Sequence, residues 1–381
     1  METQTIADAV PVSISDPVNA RILAVSEDRI GGFWADPIEE ISRLSGVEAD
    51  TVIERIAAML KAGVIRRVRQ TLLATSLADG ALVAWQVPAD KLNDAFDFMF
   101  QQDPFSGHVV IRSTDGATAG SRFRLWTTLK VPQGFSIARH CELLARLVGA
   151  EAFQVMPAKC LFTLGVGHIR RRQILPGSMS EEPAVVTSTD IVELSPEQWA
   201  ALVVIKKEFS PDELQRDIWA PRGALAGFSK AEFLRIAAEL AAKGVIGRFS
   251  TFLEHVKPLQ TGEKVTQYNA LYHWAVAPGR EIETGRQVGR FHIMTHAYWR
   301  EGGPDFGNVN IMGVAHGKDK GLLLEHKKAI DTHLSNLGIE VSYTNVFWGG
   351  RSEIKPSEFI PSEYVRWCQR WNVDADAMRK A

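Results

Sequence analysis

Two short runs in the second half of the sequence contain residues that can transfer protons and bind anions. They span residues 291–300 and 307–317 and are separated by a short loop that contains Gly-Gly-Pro. Side chains alternate between the two faces of a strand. If the runs are the two strands of a hairpin, every second residue of each run should therefore lie on one face, and many of these residues are polar or titratable. The first set is His292, Met294, His296, Tyr298 and Arg300, and the second is Asn308, Asn310, Met312, Val314 and His316. Such a face is typical of a lined pocket.

Three interpretations of this face remain open on the residues alone. It could be an ordinary sheet with scattered histidines, a metal site or a proton-transfer pocket. A metal site is the weakest of these, because several ligands must converge and no carboxylate or thiol lies at ligand spacing on the two strands. In a proton-transfer pocket, a histidine acts as general acid while Arg or Tyr positions an anion.

The elements that position these residues occur twice along the chain. The segment GVIRRV at 63–68 recurs as GVIGRF at 244–249, and ALVAWQVP at 81–88 has a counterpart in HWAVAP at 273–278. Each copy begins with a helix-turn-helix pattern and continues in the strand and helix order of a ferredoxin-like sandwich. The predicted fold class is therefore α+β, a tandem repeat of a winged helix-turn-helix followed by a ferredoxin-like α/β sandwich.

Changes in composition place the boundaries between these parts. Winged helices are predicted at 1–70 and 191–248, and sandwiches at 71–167 and 249–381, the last with a C-terminal tail. A linker rich in charge, Pro and Ser is predicted at 168–190. The histidine-rich face belongs to the second sandwich.

Local signals indicate where the helices of the winged segments begin and end. Asp36 is a candidate N-cap and Gly46 a helix stop in the first copy. In the second copy Ser229 and Glu232 have the spacing of a capping box, and Gly244 follows as the stop.

The charges of the winged segments argue against DNA recognition. A recognition helix needs Arg, Lys, Asn or Gln near its N-terminus. Residues 37–62 instead hold five acids and three bases. The acids on the second helix of this segment are Glu48, Asp50 and Glu54. Packing is the favoured role of these helices, and DNA binding remains an open alternative.

These motifs resemble those of the siroheme decarboxylases, a family with the AsnC/Lrp-type fold. THAYWRE at 295–301, followed by NVNIMGVAHG at 308–317, resembles the paired histidine signature of that family. The GVIRRV and GVIGRF segments and the two Trp-containing strands resemble further family motifs. The resemblance covers roughly 20–165 and 195–350, and the chain looks like a fused form of a family that also has two-subunit members.

The resemblance implies a step of haem biosynthesis. Siroheme would lose two acetate carboxyls and become didecarboxysiroheme on the way to haem or haem d1. The ligand would be siroheme or another iron tetrapyrrole, and no further cofactor is required because the macrocycle can delocalise charge. The alternatives are an AsnC/Lrp-type transcriptional regulator that senses a tetrapyrrole or amino acid, and a carrier without catalytic activity.

The resemblance also suggests roles for single residues. The predicted catalytic group is His296, His316 and Tyr298, with no metal. The predicted substrate-binding group is Arg248, Arg300, Asn310, Arg66, Arg67, Arg112 and Lys130. One histidine would donate the proton and the other would position it, in an order that the sequence leaves open. The basic residues would bind the carboxylates of the substrate.

The two copies differ at the histidine positions. Arg112 and Lys130 stand where the second copy has its histidines, so the first copy is predicted not to be catalytic. Its basic residues could still bind carboxylates across an internal pseudo-dimer interface. The second copy departs from the family pattern at Gly247 and Trp299.

Composition limits the setting in which the protein works. The 381 residues carry a net charge of −2, which does not indicate a general polyanion binder. Three widely spaced cysteines and the lack of a signal-peptide pattern favour the cytoplasm. No apolar run approaches the ~20 residues that span a bilayer. The expected partner is a small tetrapyrrole, with a pseudo-dimer in one chain and further homodimer formation left open.

Overall fold

The computed structural model describes residues 10–73, 76–164, 174–254 and 266–380. Within these ranges the chain forms two compact units. The winged-helix unit contains the described residues of 10–73 and 193–254, and the sandwich unit contains those of 76–164, 174–192 and 266–380. Each unit therefore combines equivalent parts of both copies.

The two copies share a similar order of helices and strands, with some elements present in one copy alone. The first copy contains α1 (Pro17–Ser26), β1 (Ile30–Gly31), α2 (Pro37–Ser45), α3 (Ala49–Lys61), β2 (Ile65–Leu72), β3 (Ala78–Gln86), α4 (Leu92–Gln101), β4 (Ser106–Ser113), β5 (Leu125–Pro132), α5 (Ile137–Val148), β6 (Ala152–Pro157), β7 (Cys160–Leu164) and β8 (Thr187–Ser188). The second contains α6 (Pro196–Ile205), α7 (Trp219–Leu225), α8 (Lys230–Ala242), β9 (Ile246–Leu253), β10 (Tyr268–Val276), α9 (Glu281–Gly289), β11 (Met294–Trp299), β12 (Ile311–Gly317), α10 (Lys320–Asn336), β13 (Val341–Ile354) and α11 (Pro361–Arg370).

The winged-helix unit pairs the wing strands of the two copies in one sheet with the order β1-β9-β2. The predicted helix ends are confirmed. The Asp36 side chain accepts the Glu39 N–H, and Gly46 adopts the left-handed conformation that ends α2. Ser229 and Glu232 form the capping box of α8.

The boundary predicted after residue 248 falls inside a strand. β9 runs without interruption through this position and pairs with β2 along its length. The described residues up to 254 belong to the winged-helix unit, since β9 supplies the central strand of its sheet. The change of unit therefore comes later in the chain than composition indicated.

The sandwich unit confirms the predicted ferredoxin-like order in both copies. Its sheet has the order β6-β3-β5-β4-β13-β10-β12-β11-β7-β8. In each copy the first strand lies between the third and the fourth, and the second strand lies beside the third. All the pairings are antiparallel.

The fourth strand of each copy pairs with both copies. The first part of β13 pairs with β10 of its own copy, and its last part pairs with β4 of the other. In the first copy two strands make these pairings. β6 pairs with β3 of its own copy, and β7 pairs with β11 of the other copy. Ala158 and Lys159 alone separate β6 from β7, although these strands occupy nearly opposite ends of the strand order. The two sandwiches thus form an internal pseudo-dimer.

Apolar residues pack on both faces of this sheet. One face is covered by helices, with a separate core under the helices of each copy. The other face, here called the inner face, carries a third cluster that contains strand and loop residues of both copies. This cluster is Ala84, Val110, Phe123, Trp126, Met156, Leu271, Ala275, Phe306, Val309, Met312 and Phe347. Within the part of the chain that the structure describes, no helix is long and apolar enough to cross a membrane.

Candidate active site

The predicted histidine strand contains an irregularity that changes which side chains share a face. Met294 pairs with Ala315, whereas His296 pairs with Val314, so β11 has one extra residue between these two positions. A β-bulge of this kind reverses the alternation of side chains. Met294 consequently packs in the helix-covered core, while His296 faces the same side as His316. The prediction that Met294 shares a face with His296 was wrong.

His292 lies outside the histidine pair as well. It precedes β11, its N–H donates to the Ser178 carbonyl, and its Nε2 lies 3.3 Å from the Ser180 hydroxyl. The predicted five-residue face therefore does not form, because the strand starts later and contains the bulge.

Thr295, the extra residue of the bulge, connects the two histidines. Its hydroxyl oxygen lies 3.1 Å from His296 Nδ1 and 3.3 Å from His316 Nδ1. The same hydroxyl donates to the Val314 carbonyl at 2.9 Å. Sequence reasoning missed Thr295, since regular alternation would place it on the opposite face. The structure brings His296 and His316 together through this one buried oxygen.

The hydrogen bonds extend from His316 into the first copy. Asn269 Nδ2 lies 3.0 Å from His316 Nε2, and Arg112 Nη1 donates to Asn269 Oδ1 at 3.1 Å. Arg112 also approaches the Phe347 carbonyl at 3.4 Å. Burial lowers the pKa of Arg112 to about 9. Arg112 was predicted to bind a substrate carboxylate, but its Nη1 instead supports Asn269, a residue that the sequence interpretation did not select.

A second set of contacts extends from His296 towards basic groups. The rings of His296 and Tyr298 are stacked, with centroids 6.0 Å apart and an interplanar angle of 15°. The Arg300 guanidinium lies 4.5 Å from the Tyr298 ring centroid and donates to the Met156 carbonyl at 2.5 Å. Burial raises the pKa of Tyr298, although Arg300 acts in the opposite direction. Tyr298 therefore remains a neutral hydrogen-bonding group.

Lys130 of the first copy belongs to the same charged neighbourhood as Arg300. Burial, followed by repulsion from Arg300, lowers the pKa of Lys130 to about 8. Burial also lowers the pKa of Arg300. Arg300 is buried and Lys130 is half-buried. Their charges repel each other, so an anion near both would be stabilised.

His273 is a further histidine on the inner face that sequence reasoning did not select. It is 1% exposed, and neither ring nitrogen has a hydrogen-bond partner among the described residues. Burial and the charge of Arg112 lower its pKa to about 3. The available signal was its position in β10, four residues after Asn269 and hence on the same face. His273 is neutral at physiological pH.

Asn310 has a structural contact that the prediction did not foresee. Its side chain accepts the Val276 N–H at 2.9 Å and donates to the Val276 carbonyl at 2.9 Å. The same amide also lies 3.3 Å from Glu281 Oε1. Because these contacts use both ends of the amide, Asn310 fixes the end of β10 in this structure and does not contact the histidine pair.

The remaining predicted arginines belong to the winged-helix unit. Arg66 and Arg67 lie on β2, and Arg67 pairs with Glu208 at 3.2 Å. Arg248 lies on β9 and donates to the Glu27 carbonyl at 3.2 Å. Burial lowers the pKa of Arg248, opposed by the two nearby acids. The structure thus assigns these three arginines and the histidines to different units, and substrate contacts for them stay predictions.

In the described ranges, no three His, Cys, Asp or Glu side chains converge as metal ligands. The cysteines are free and buried, and they lie at Cys141, Cys160 and Cys368.

Comparison with known proteins identifies one domain of the first copy. Residues 77–163 match the AsnC-like ligand binding domain family. This segment contains β3 to β6, which form the sheet of the first sandwich, and all but the last residue of β7.

Sequence relatives extend the similarity over both copies. The chain is 23% identical to a siroheme decarboxylase of Hydrogenobacter thermophilus over 335 residues, which cover 87% of this chain and 92% of that protein. It is 27% identical to a siroheme decarboxylase beta subunit of Desulfovibrio desulfuricans over 128 residues, which cover 34% of this chain and 75% of the subunit.

Solved structures show the same fold. The siroheme decarboxylase NirDL superposes with a TM-score of 0.64 at 19% identity, covering 92% of this chain and 97% of that one. NirDL in complex with an iron-uroporphyrin III analogue gives a TM-score of 0.63 at 19% identity, covering 93% of this chain and 98% of that one. Over both copies the chain is thus similar in sequence to a siroheme decarboxylase and has the fold of NirDL, and its first sandwich matches the AsnC-like ligand binding domain.

Proposed function

We propose that this protein is a siroheme decarboxylase, a carboxy-lyase that removes acetate carboxyls of siroheme to give didecarboxysiroheme for haem or haem d1 biosynthesis. The observation that carries the proposal is the pair His296 and His316, which share the Thr295 hydroxyl on the sheet of the second copy. Basic groups of both copies, Arg300 and Lys130, lie in the same unit. This combination fits a substrate that has several carboxylates and needs one proton for each carboxyl lost.

The chemistry requires one proton and no external electron. When the bond between the acetate methylene and its carboxylate breaks, carbon dioxide leaves and the electron pair is delocalised into the macrocycle. A proton then forms the new C–H bond and converts the acetate side chain into a methyl group. The iron tetrapyrrole is the substrate and itself accepts the charge, so we propose no additional cofactor.

The basic residues would bind carboxylates that do not react. Lys130, with a pKa of about 8, is mainly protonated at neutral pH, and Arg300 is charged throughout this range. Both lie in a site of low solvent access, where an ion pair is stronger than at the surface. The neutral Tyr298 would donate a hydrogen bond to the reacting carboxylate. We also propose, from the sequence resemblance alone, that Arg66, Arg67 and Arg248 bind carboxylates of the substrate.

The experiment is anaerobic incubation of the purified chain with siroheme, followed by mass spectrometry of the tetrapyrrole. Wild-type protein should release carbon dioxide from both acetates. His296→Gln should lower the rate by roughly 10²–10⁴, the usual contribution of a general acid. His333→Gln is the matched control, because His333 contacts Gln287 from helix α10 and should keep the wild-type rate. A folded wild-type protein that binds siroheme without any mass loss would indicate a carrier and overturn the proposal.

The regulator alternative finds little support in the winged-helix unit. Asp50 in the first turn of α3 pairs with Arg216 at 2.7 Å, and Glu39 of α2 approaches the same arginine at 3.2 Å. The start of the candidate recognition helix thus packs against the second copy and carries acidic groups. We propose a packing role, which a gel shift with upstream DNA at low salt would contradict if it showed tight binding.

The cysteines bear on the cellular compartment of the protein, and the internal pseudo-dimer bears on how many chains form a site. Free, buried cysteines suit a reducing compartment, and we propose the cytoplasm. Because both sandwiches of the pseudo-dimer come from one chain, we propose that a single chain contains a complete site. Sedimentation at several concentrations would show whether chains associate further.

A further inference from the structure

We propose that Arg112 and Asn269 fix the tautomer of His316 and that Thr295 fixes the tautomer of His296, so that His296 Nε2 is the atom that delivers the proton. The catalytic meaning of this inference rests on the proposed function, whereas the tautomers themselves do not. Arg112, Asn269, His316, Thr295 and His296 form one hydrogen-bonded series, here called the tautomer chain.

Arg112 determines which groups donate and which accept hydrogen bonds along the tautomer chain. A guanidinium can only donate hydrogen bonds, so the Asn269 atom 3.1 Å from Arg112 Nη1 must be the amide oxygen. The Asn269 amide nitrogen then points to His316 Nε2 at 3.0 Å. A reversed amide would place N–H groups against the guanidinium, which is a contact between two donors. Arg112 therefore removes the usual ambiguity between the two ends of the asparagine side chain.

The amide in turn determines the tautomer of His316. Since Asn269 Nδ2 donates, His316 Nε2 must accept, and the single ring proton of neutral His316 lies on Nδ1. That nitrogen lies 3.3 Å from the Thr295 oxygen. A second proton on His316 would have to point at the amide hydrogens of Asn269. His316 is thus a positioning residue whose ring proton lies on Nδ1.

Thr295 fixes the tautomer of His296 through its own hydrogen bond to the backbone. The threonine has one hydroxyl hydrogen, which it donates to the Val314 carbonyl at 2.9 Å. Its oxygen is left to accept from His296 Nδ1 at 3.1 Å, so His296 also carries its first proton on Nδ1. When His296 becomes protonated, the added proton lies on Nε2. That proton is the one available for the new C–H bond of the substrate.

The backbone register explains how a side chain of the first copy reaches this site. Arg112 lies opposite Gly349, Gly349 lies opposite Asn269, and Asn269 lies opposite His316. These four residues form one row across β4, β13, β10 and β12. A Cβ at Gly349 would come 3.1 Å from the Asn269 Cβ, so the glycine leaves the space through which Arg112 approaches Asn269. An arginine of copy one thus supports the histidine of copy two through Asn269.

The direct test is ¹⁵N NMR of the histidine rings in the full-length protein without substrate. In the neutral form, His316 and His296 should both show a protonated Nδ1 and an unprotonated Nε2. Asn269→Asp should move the His316 proton to Nε2, because a carboxylate accepts from that nitrogen. Arg112→Met should give a mixture of His316 tautomers, because the amide can then rotate. A wild-type His316 that carries its neutral proton on Nε2 would overturn the inference.

Measurements of decarboxylase activity distinguish a failure of this inference from a failure of the proposed function. Asn269→Asp should lower kcat by roughly 10² while KM changes little, because the proton path is altered and the carboxylate anchors are kept. Asn345→Asp is the control, since Asn345 contacts Thr118 and lies outside the tautomer chain. The control should keep the wild-type ring signals and rate. Wild-type protein with the expected tautomers but no decarboxylation would refute the proposed function and leave the tautomer chain intact.

Discussion

Replacing His273 with leucine should change how the stability of the protein depends on pH. Both nitrogens of this ring are buried, and neither has a partner among the described residues. Its pKa is about 3 in the folded protein, against an ordinary value of 6.5. Because the folded-state pKa is lowered, the unfolded chain binds the proton first. Stability linked to His273 is therefore complete above about pH 6.5 and is lost as the pH falls towards 3.

The size of the effect follows from the two pKa values. One pKa unit corresponds to about 1.4 kcal/mol, so His273 should cost the folded state up to about 2.7 kcal/mol near pH 4.5 and almost nothing near pH 7.5. His273→Leu removes this term and also the penalty for the unpaired nitrogens, which is about 1–3 kcal/mol at any pH. The variant should thus be more stable than wild type, and its advantage should grow with acidity.

Urea unfolding followed by circular dichroism at both pH values measures the difference. Leu271→Val is the control, because Leu271 packs in the same inner-face cluster and has no titratable group. Its effect on the free energy of unfolding should be equal at the two pH values. If His273→Leu and wild type lose the same stability between about pH 7.5 and 4.5, the ring does not stay neutral when buried, and the reasoning is refuted.

Three further substitutions test the packing around the site and in the winged-helix unit. Arg222→Met should destabilise the winged-helix unit by about 3 kcal/mol, because Arg222 donates to three carbonyls at the end of α6, and an unchanged thermal midpoint would contradict this. Gly285→Ala should destabilise by about 1–3 kcal/mol, because the added Cβ would lie 1.9 Å from the Phe162 ring, whereas helix propensity alone predicts a stabilised variant. Asn310→Asp should lower the midpoint by removing the bond to the Val276 carbonyl and should leave the tautomers of His296 unchanged in NMR spectra. A large loss of activity in a stable Asn310→Asp protein would instead favour direct contact with the substrate.

Local features of the fold could be predicted from the sequence because their causes are local. Asp36, Gly46 and Ser229 end or begin helices through contacts within a few residues, and each behaves as expected. The order of strands in each sandwich followed from hydrophobic alternation and the repeat. Pairing of the two copies was expected from the repeat as well. Only the structure showed that the winged helices of both copies form one unit and the sandwiches another.

The details of the site depend on features that a periodic pattern does not show. A bulge at Thr295 adds one residue to a strand, and this moves Met294 to the other face. The contact between Arg112 and Asn269 joins residues 157 positions apart, through a register that only the paired strands define. His296 and His316 could be selected because their side chains are chemically distinctive, whereas an asparagine or threonine gives no such signal.

The division of one strand between two sandwiches has a consequence for how such a protein can be encoded. β7 belongs to the first copy by sequence but completes the sheet of the second, and β13 extends into the first. The two copies are therefore joined by backbone hydrogen bonds between their strands, in addition to the covalent connection between them. A chain cut in the connection between the copies should remain associated, and two separate genes could produce the same assembly. One relative is itself named a beta subunit. In this chain, fusion adds a covalent tether to two halves that already share their strands.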